Sequence, residues 1–225
     1  MTDLHTHILP GMDDGARNVA MSLAMLEAER AQGVDTVVLT PHFYREREDA
    51  ERFLQRREAA LTKLRDALPE DAPRLIPGAE VAWFHGLSSE PLLEKLCLGK
   101  SKYLLLELPY ATWSRHLVNQ VDQFSCYSGV IPVLAHVERY LHLQQPGQVA
   151  ELFSLGLPMQ LSAEALTRPF QRRKMVEMLK HGEWYIGSDC HNCSDRKPNM
   201  GPAAQTLFKR LHSDHAQLML SWDEE

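Results

Sequence analysis

Short apolar runs alternate with longer amphipathic ones along the chain. The β-rich runs fall at Thr2–His7, Thr36–Thr40, Arg74–Val81, Tyr103–Leu108, Ile131–His136, Pro158–Ser162 and Trp184–Ser188. Their starts recur roughly every 26 to 38 residues, the length of a strand–helix unit and too long for a hairpin. The stretches between them carry helical periodicity. "NVAMSLAMLEAERAQG" sets Val19, Leu23, Leu26 and Arg30 along one stripe, with Asn18 as N-cap and Gly33 as the stop. "EREDAERFLQRREAALTKLRDAL" gathers Phe53, Leu54, Leu61, Leu64 and Leu68 on one face and leaves a solvated charge run on the other. "TWSRHLVNQVDQFSCYSG", "PGQVAELFSLG", "PFQRRKMVEMLKHG" and "GPAAQTLFKRLHS" fill the later slots. Seven such units predict an α/β fold, a distorted (β/α)7 TIM-like barrel, with an open doubly wound sheet as the alternative. No Gly/Ser/Pro-rich linker breaks the pattern, so residues 1–225 read as one domain.

Composition narrows the function classes. The chain has 225 residues, 44% hydrophobic and 24% charged, which is globular and long enough for a sizeable core. A formal net charge of −6 argues against nucleic acid as a partner but leaves room for a local anion pocket. No apolar run approaches the ~18 residues of a membrane span. No basic-then-apolar leader is visible, so cytoplasm is the expected compartment. Cys97, Cys126, Cys190 and Cys193 are too few and too scattered for a disulfide scaffold. Cys190-x-x-Cys193 has the spacing of a redox pair or half a zinc knuckle. No second such pair accompanies it, and it reads as incidental thiols beside Asp189 and His191.

The chemistry lies at the strand ends. The first run ends with His5 and His7, the second with His42, the third with Glu80, the fourth with Glu107 and the fifth with His136. The seventh ends with Asp189 and His191. Parallel strands of one barrel share a C-terminal rim, where such folds hold their active sites. One histidine after a strand is usually a cap or a packing residue; six of seven strand ends form a pattern. His5 and His7, two apart in a strand, point to the same side. With Asp14 the set is imidazole and carboxylate, without a well-placed thiolate. That suits Mn, Fe or Zn and disfavours an all-oxygen calcium cage. A single catalytic zinc needs only three protein ligands, so the surplus predicts a two- or three-metal centre. Asp13, beside Gly11 and Gly15, reads as a turn residue.

"DLHTHILPGMDDGA", "TPHF", "GAEV", "LLLELP", "LAHVERY" and "GSDCHN" together resemble the polymerase and histidinol phosphatase (PHP) superfamily. Within it they are most similar to the manganese-dependent protein-tyrosine phosphatases of bacterial capsule and exopolysaccharide operons. The resemblance runs from Asp3 to about Pro202. It implies a distorted barrel with three ions, Mn first and Fe, Zn or Co as alternatives. One ion would take His5, His7, Glu80 and Asp189. A second would share Glu80 and add Glu107 and His136, and a third would take Asp14, His42 and His191. The resemblance also implies that Arg139 and Arg196 hold phosphate oxygens, which suits a two-pronged guanidinium. Its implied substrate is a phosphotyrosine protein, the tail of a tyrosine autokinase controlling polysaccharide export. Cys190 departs from the family pattern, where a small residue is usual.

The expected reaction is phosphomonoester hydrolysis. A hydroxide bridging two ions attacks phosphorus in line, while ions and arginines neutralise the equatorial oxygens. Tyrosine, with a pKa of about 10, is a leaving group that needs little help. No covalent cysteine intermediate is required, and the Cys-x5-Arg loop of cysteine phosphatases is read as absent, with no arginine six residues after Cys97, Cys126, Cys190 or Cys193. The remaining histidines, His85, His116, His142, His181, His212 and His215, read mostly as surface, with a place beside the pocket as the minority alternative for His85 and His116. Three rivals stand beside this reading: a small-molecule phosphatase of the histidinol-phosphate type, a metal-dependent nuclease disfavoured by charge, and a non-catalytic metal-binding module with a closed site.

Overall fold

Every apolar run becomes a strand in the computed structural model, which describes residues 1–222; the last three residues of the single-domain span lie outside them. The strands are β1 (Thr2–Thr6), β2 (Thr36–Leu39), β3 (His42–Phe43), β4 (Arg74–Pro77), β5 (Glu80–Ala82), β6 (Tyr103–Glu107), β7 (Ile131–Leu134), β8 (Met159–Ser162) and β9 (Trp184–Gly187). The helices are α1 (Val19–Arg30), α2 (Ala50–Arg65), α3 (Arg115–Tyr127), α4 (Pro146–Ser154), α5 (Ala163–Thr167), α6 (Pro169–Met178), α7 (Met200–Arg210) and α8 (Ser213–Met219). The pattern did not foretell β3, α5 and α8, and the run expected at Arg74–Val81 is broken into β4 and β5.

All strand pairings are parallel, but the described residues form no closed barrel. The strands divide into a sheet of order β1-β2-β4 and another of order β3-β5-β6-β7-β8-β9. The chain crosses between them three times, over Pro41 from β2 to β3, through α2 from β3 to β4, and over Gly78 from β4 to β5. Proline has no amide donor, so a ladder cannot run unbroken through Pro41 or Pro77. At Gly78 a side chain is excluded, because a Cβ there would lie 2.8 Å from Leu98 Cδ2. The other seam, between β1 and the segment after β9, is a single bridge from Thr6 to Cys190. Two backbone bonds reinforce it, Asp189 N–H to His5 O at 2.8 Å and His7 N–H to Cys190 O at 3.0 Å. The closed (β/α)7 barrel is therefore corrected to two parallel sheets. Their strands still share one rim.

Burial explains the apolar runs. β1 and β2 are buried along their whole length, as parallel strands covered on both faces require. In α1 the Asn18 cap accepts the Met21 N–H at 3.0 Å, and Gly33 ends the segment with φ +83°. Its buried stripe is Ser22, Met25, Leu26 and Glu29, one step round from the expected Val19, Leu23, Leu26 and Arg30. Arg30 turns outward to Glu27 and Asp71, while Glu29 turns in toward polar partners behind the rim. On α2 the expected face holds: Phe53, Leu61 and Leu64 are buried, and Leu54 and Leu68 pack against the core.

Candidate metal centre

The eight strand-end residues and Asp14 converge on one spot. His5 and His7 leave β1 on the same side, their Nε2 atoms 3.1 Å apart. Glu80, released by the Gly78 break, begins β5 and sits at the middle. Its Oε2 is 3.2 Å from His5 Nε2, 3.3 Å from His7 Nε2 and 2.9 Å from His42 Nδ1. Its Oε1 is 2.8 Å from His136 Nε2, which lies 3.6 Å from Glu107 Oε1 at the end of β6. Asp189 Oδ1 approaches His5, His7 and His191 at 3.6, 3.4 and 3.6 Å. Asp14 Oδ1 stands 3.6 Å from His42 Nε2 and 3.4 Å from His191 Nε2. Asp14 is 65% exposed and marks the open side; His5, His7, Glu80, His136, Asp189 and His191 are buried.

Backbone geometry helps to aim these groups. His136 and Asp189, each two residues past its strand, hold φ of +32° and +54°. Non-glycine residues seldom adopt this region, and such strain clusters at functional sites.

The three implied groups come together but are not separate. His7, Asp14, His42 and His191 lie within 4.8 Å of one another, and so do His5, His7 and Glu80, and His42, Glu80 and Glu107. His7 and His42 thus stand between groups. The atoms suit a bound cation. Glu80 Oε2 is fully buried among three imidazole nitrogens yet accepts no well-formed hydrogen bond, and His191 Nε2 is buried without a partner. Buried polar atoms are rarely left unsatisfied without a reason. An imidazole–carboxylate set with such vacant donor atoms fits a divalent transition ion.

Three imidazoles are also oriented from behind. His5 Nδ1 is 3.2 Å from Gln160 Oε1, His7 Nδ1 is 2.7 Å from Asp13 Oδ2, and His191 Nδ1 is 3.0 Å from the Asp189 carbonyl. Each Nδ1 faces an oxygen acceptor, which turns Nε2 toward the cluster as the atom that would bind a cation, with the ion taking the place of the Nε2 proton on His7.

Electrostatics follow from this packing. Burial works against the charged form of His7, but the Asp13 carboxylate and Glu80 outweigh it and push the imidazole up to about 9. Burial likewise opposes ionised Glu80, yet His5 and His42 hold it well below the usual carboxylate range. Glu107 is raised by burial and by Glu80, and burial lowers His136. His191 is lowered by burial, then by His7 and Arg196.

Both expected arginines reach the centre, and both pair with Asp189. Arg139 Nη2 contacts Asp189 Oδ2, and Arg196 Nη2 lies 3.0 Å from each carboxylate oxygen. His85 and His116 are exposed and line neither cleft beside Glu107, in keeping with the surface reading and against the pocket alternative, whereas His142, also read as surface, borders one. Asp13 is no mere turn residue: it holds His7, the His42 N–H at 2.9 Å and the Gly15 N–H at 2.9 Å. Sequence reasoning also passed over Gln160, on the one strand without a ligand at its end, and Tyr44, whose hydroxyl is 3.2 Å from His42 Nδ1. A glutamine inside an apolar strand was the available signal for the first.

Cys190 needs a correction of its own. Cys190 and Arg196 do have the Cys-x5-Arg spacing of cysteine phosphatases. The thiol, however, is fully buried and faces away from the centre toward Glu29 Oε1 at 3.6 Å. Burial, Glu29 and Asp3 push it well above its usual range, so it is no nucleophile. Around it Asp3 accepts the His5 N–H at 3.2 Å and the Ser188 N–H at 2.8 Å, which ties β1 to the end of β9. Burial and Asp3 keep the Glu29 carboxyl well above the usual range.

Comparisons with known proteins agree with this geometry. The family model described as "Capsular polysaccharide synthesis, CpsB/CapC" matches residues 1–224. The chain is 31% identical over 226 residues to tyrosine-protein phosphatase YwqE of Bacillus subtilis, covering 95% of this chain and 86% of that one. It is 30% identical over 236 residues to tyrosine-protein phosphatase CpsB of Streptococcus pneumoniae, covering 96% and 93%. The fold superposes with TM-score 0.81 and 25% identity on a chain from the crystal structures of YwqE and CpsB, described as metal-dependent tyrosine phosphatases, over 96% of this chain and 90% of that one.

Proposed function

The chain belongs to the CpsB/CapC family of capsular polysaccharide synthesis, and from that premise we propose that it is a metal-dependent protein-tyrosine phosphatase. The observation that carries the reading is the set of imidazoles whose Nδ1 atoms are tied to oxygens while their Nε2 atoms face Glu80, Asp189 and Asp14. In this reading His5, His7, Asp14, His42, Glu80, Glu107, His136, Asp189 and His191 hold two or three divalent ions, manganese first. The substrate is a phosphotyrosine protein, the tail of a tyrosine autokinase, met in the cytoplasm. The capsule-synthesis family supports that partner, and among the described residues no helix is long and apolar enough to cross a membrane.

Bound ions supply Lewis acidity, which acidifies a water and offsets charge on the phosphoryl oxygens. The chain's own groups do the rest. Glu80, central and unprotonated, anchors the cluster. Asp13 and Gln160 fix the imidazole tautomers and so the direction of the lone pairs. Arg139 and Arg196 present guanidinium forks at the open side, where each can grip two phosphate oxygens and neutralise charge as it develops. No side chain forms a covalent bond to phosphorus.

The test is turnover by the purified protein with added Mn²⁺, using a phosphotyrosyl peptide, histidinol phosphate and p-nitrophenyl phosphate. Preference for the peptide is expected, with activity lost in His136→Ala while the fold persists. Preference for histidinol phosphate would move the assignment to a small-molecule phosphatase. No turnover with Mn, Fe, Zn or Co would leave a metal-binding module.

A further inference from the structure

Two clefts open from Glu107, and Tyr110 is the ridge between them. They differ in chemistry. One, about 540 Å³, is walled by charged and polar groups, among them Arg139, His142, Glu164 and Arg168, with His136 at its floor. The other, about 320 Å³, is walled mainly by Tyr44, Phe84, Leu108, Pro109 and Tyr110, with Glu107 at its inner end and Arg45 and Glu46 along one side.

We propose that the smaller, aromatic cleft is the slot that receives the aryl ring of the substrate and selects phosphotyrosine. The proposal deepens the phosphatase reading above and rests on it. Its size is that of a small ligand pocket, at the low end of the roughly 300–1,000 Å³ usual for such sites. Its inner wall is fixed. The Tyr44 hydroxyl lies 3.2 Å from His42 Nδ1, and the Arg47 guanidinium covers the Tyr44 ring 4.3 Å from its centroid. Phe84 packs edge-on against buried Phe43 at 6.4 Å. The outer wall is Tyr110, 66% exposed, held by its hydroxyl 3.2 Å from His142 Nε2. A large aromatic side chain left in water at the mouth of an aromatic-walled cleft gains little for folding. It does offer a flat face to a ring whose ester oxygen points to the centre. A serine phosphate has no group to fill this volume. The cleft across the ridge, with Arg139, Glu164 and Arg168 on its walls, suits charged groups instead.

The test compares kcat/KM for a phosphotyrosyl peptide with that for acetyl phosphate, a reactive substrate without a ring, at saturating Mn²⁺. Leaving-group reactivity is the same in every variant, so a change in the ratio reports the slot. Tyr110→Ala is expected to lower the peptide-to-acetyl-phosphate ratio about tenfold, and Tyr110→Phe to keep it within about twofold. Phe84→Leu lowers it as well, and Tyr127→Ala, an exposed ring on α3, leaves it unchanged. An unmoved ratio in folded Tyr110→Ala and Phe84→Leu would overturn the slot while the phosphatase reading stands. Wild-type protein that turns over neither substrate overturns that reading and the slot together.

Discussion

One carboxylate oxygen, Asp13 Oδ2, serves both His7 and His42: it takes the His7 Nδ1–H at 2.7 Å and the His42 backbone N–H at 2.9 Å. The turn after β1 is thereby locked to the start of β3, and two donors of the cluster move as one. Asp13→Ala removes this brace and frees the tautomer of His7. Loss of such an outer partner typically costs about 10–100-fold in metal affinity. Asp13→Asn, which keeps an oxygen in reach of one partner, should fall between. Competition titration with Mn²⁺ against a chelating dye measures this, and equal affinities in all three proteins would remove Asp13 from the centre.

The seven strand runs were legible because buried parallel strands need near-continuous apolar runs, and the rim because six of the seven were followed by a ligand-type residue. What stayed hidden depends on contacts far apart in sequence. Asp13 between glycines looks like any turn residue until His7 and His42 fold over it. Glu29 sits on an apolar helix where Asp3, Ser188 and Cys190, all distant in sequence, explain its burial. The barrel failed at Pro41 and Gly78, where a missing donor and a missing side chain redirect the chain. The periodicity of the runs carries no trace of that redirection.

Gly187 shows how close the backbone comes to the donors. A Cβ there would lie 2.5 Å from His5 Cβ and 2.8 Å from His5 N. Such contacts do not occur, so Gly187→Ala must shift β1 or β9. Overpacking of this kind costs about 1–3 kcal/mol, and the shift falls on a residue of the cluster. The variant is expected to fold with lowered thermal stability and to lose most of its phosphatase activity. Full activity at wild-type Tm would mean that the two strands separate freely.

Metal removal should register in stability as well as in turnover. A ligand that binds only the folded state adds about 2.7 kcal/mol at 100 times its Kd. For a chain of this length that is roughly 5–10 °C in Tm. Chelation should therefore abolish activity and lower Tm by that order, and Mn²⁺ should restore both. Asp14→Ala, at the exposed edge, should shrink the shift less than Glu80→Gln at the middle. Identical melting with and without chelator would sink the metal reading.

Thiol chemistry separates the four cysteines. Burial and Glu94 push Cys97 up to about 12, and burial, Glu29 and Asp3 push Cys190 well above its usual range. A raised thiol pKa withholds the reactive thiolate, so neither should respond as pH rises from about 7 to 9. Cys126 and Cys193 are exposed. Native protein should therefore show two reactive thiols towards an aromatic disulfide reagent, and unfolded protein all four. Rapid modification of Cys190 in the native state would contradict its burial against Glu29.

Asp189 carries two guanidiniums, and that makes the arginines' role testable against a simpler one. If Arg139 only neutralises Asp189, removing it frees a carboxylate: Arg139→Ala would bind Mn²⁺ more tightly and be inhibited by inorganic phosphate as before. If it grips the phosphoryl group, kcat/KM falls by at least about 100-fold and phosphate inhibition weakens. The geometry favours the second outcome, since Arg139 and Arg196 are both partly exposed at the open side while Asp189 is buried beneath them. Lysine cannot reproduce a two-pronged grip, so Arg139→Lys should recover little. Steady-state kinetics with and without phosphate, run beside Mn²⁺ titrations, separate the two roles. Tighter metal binding with unchanged phosphate inhibition would assign Arg139 to charge balance alone.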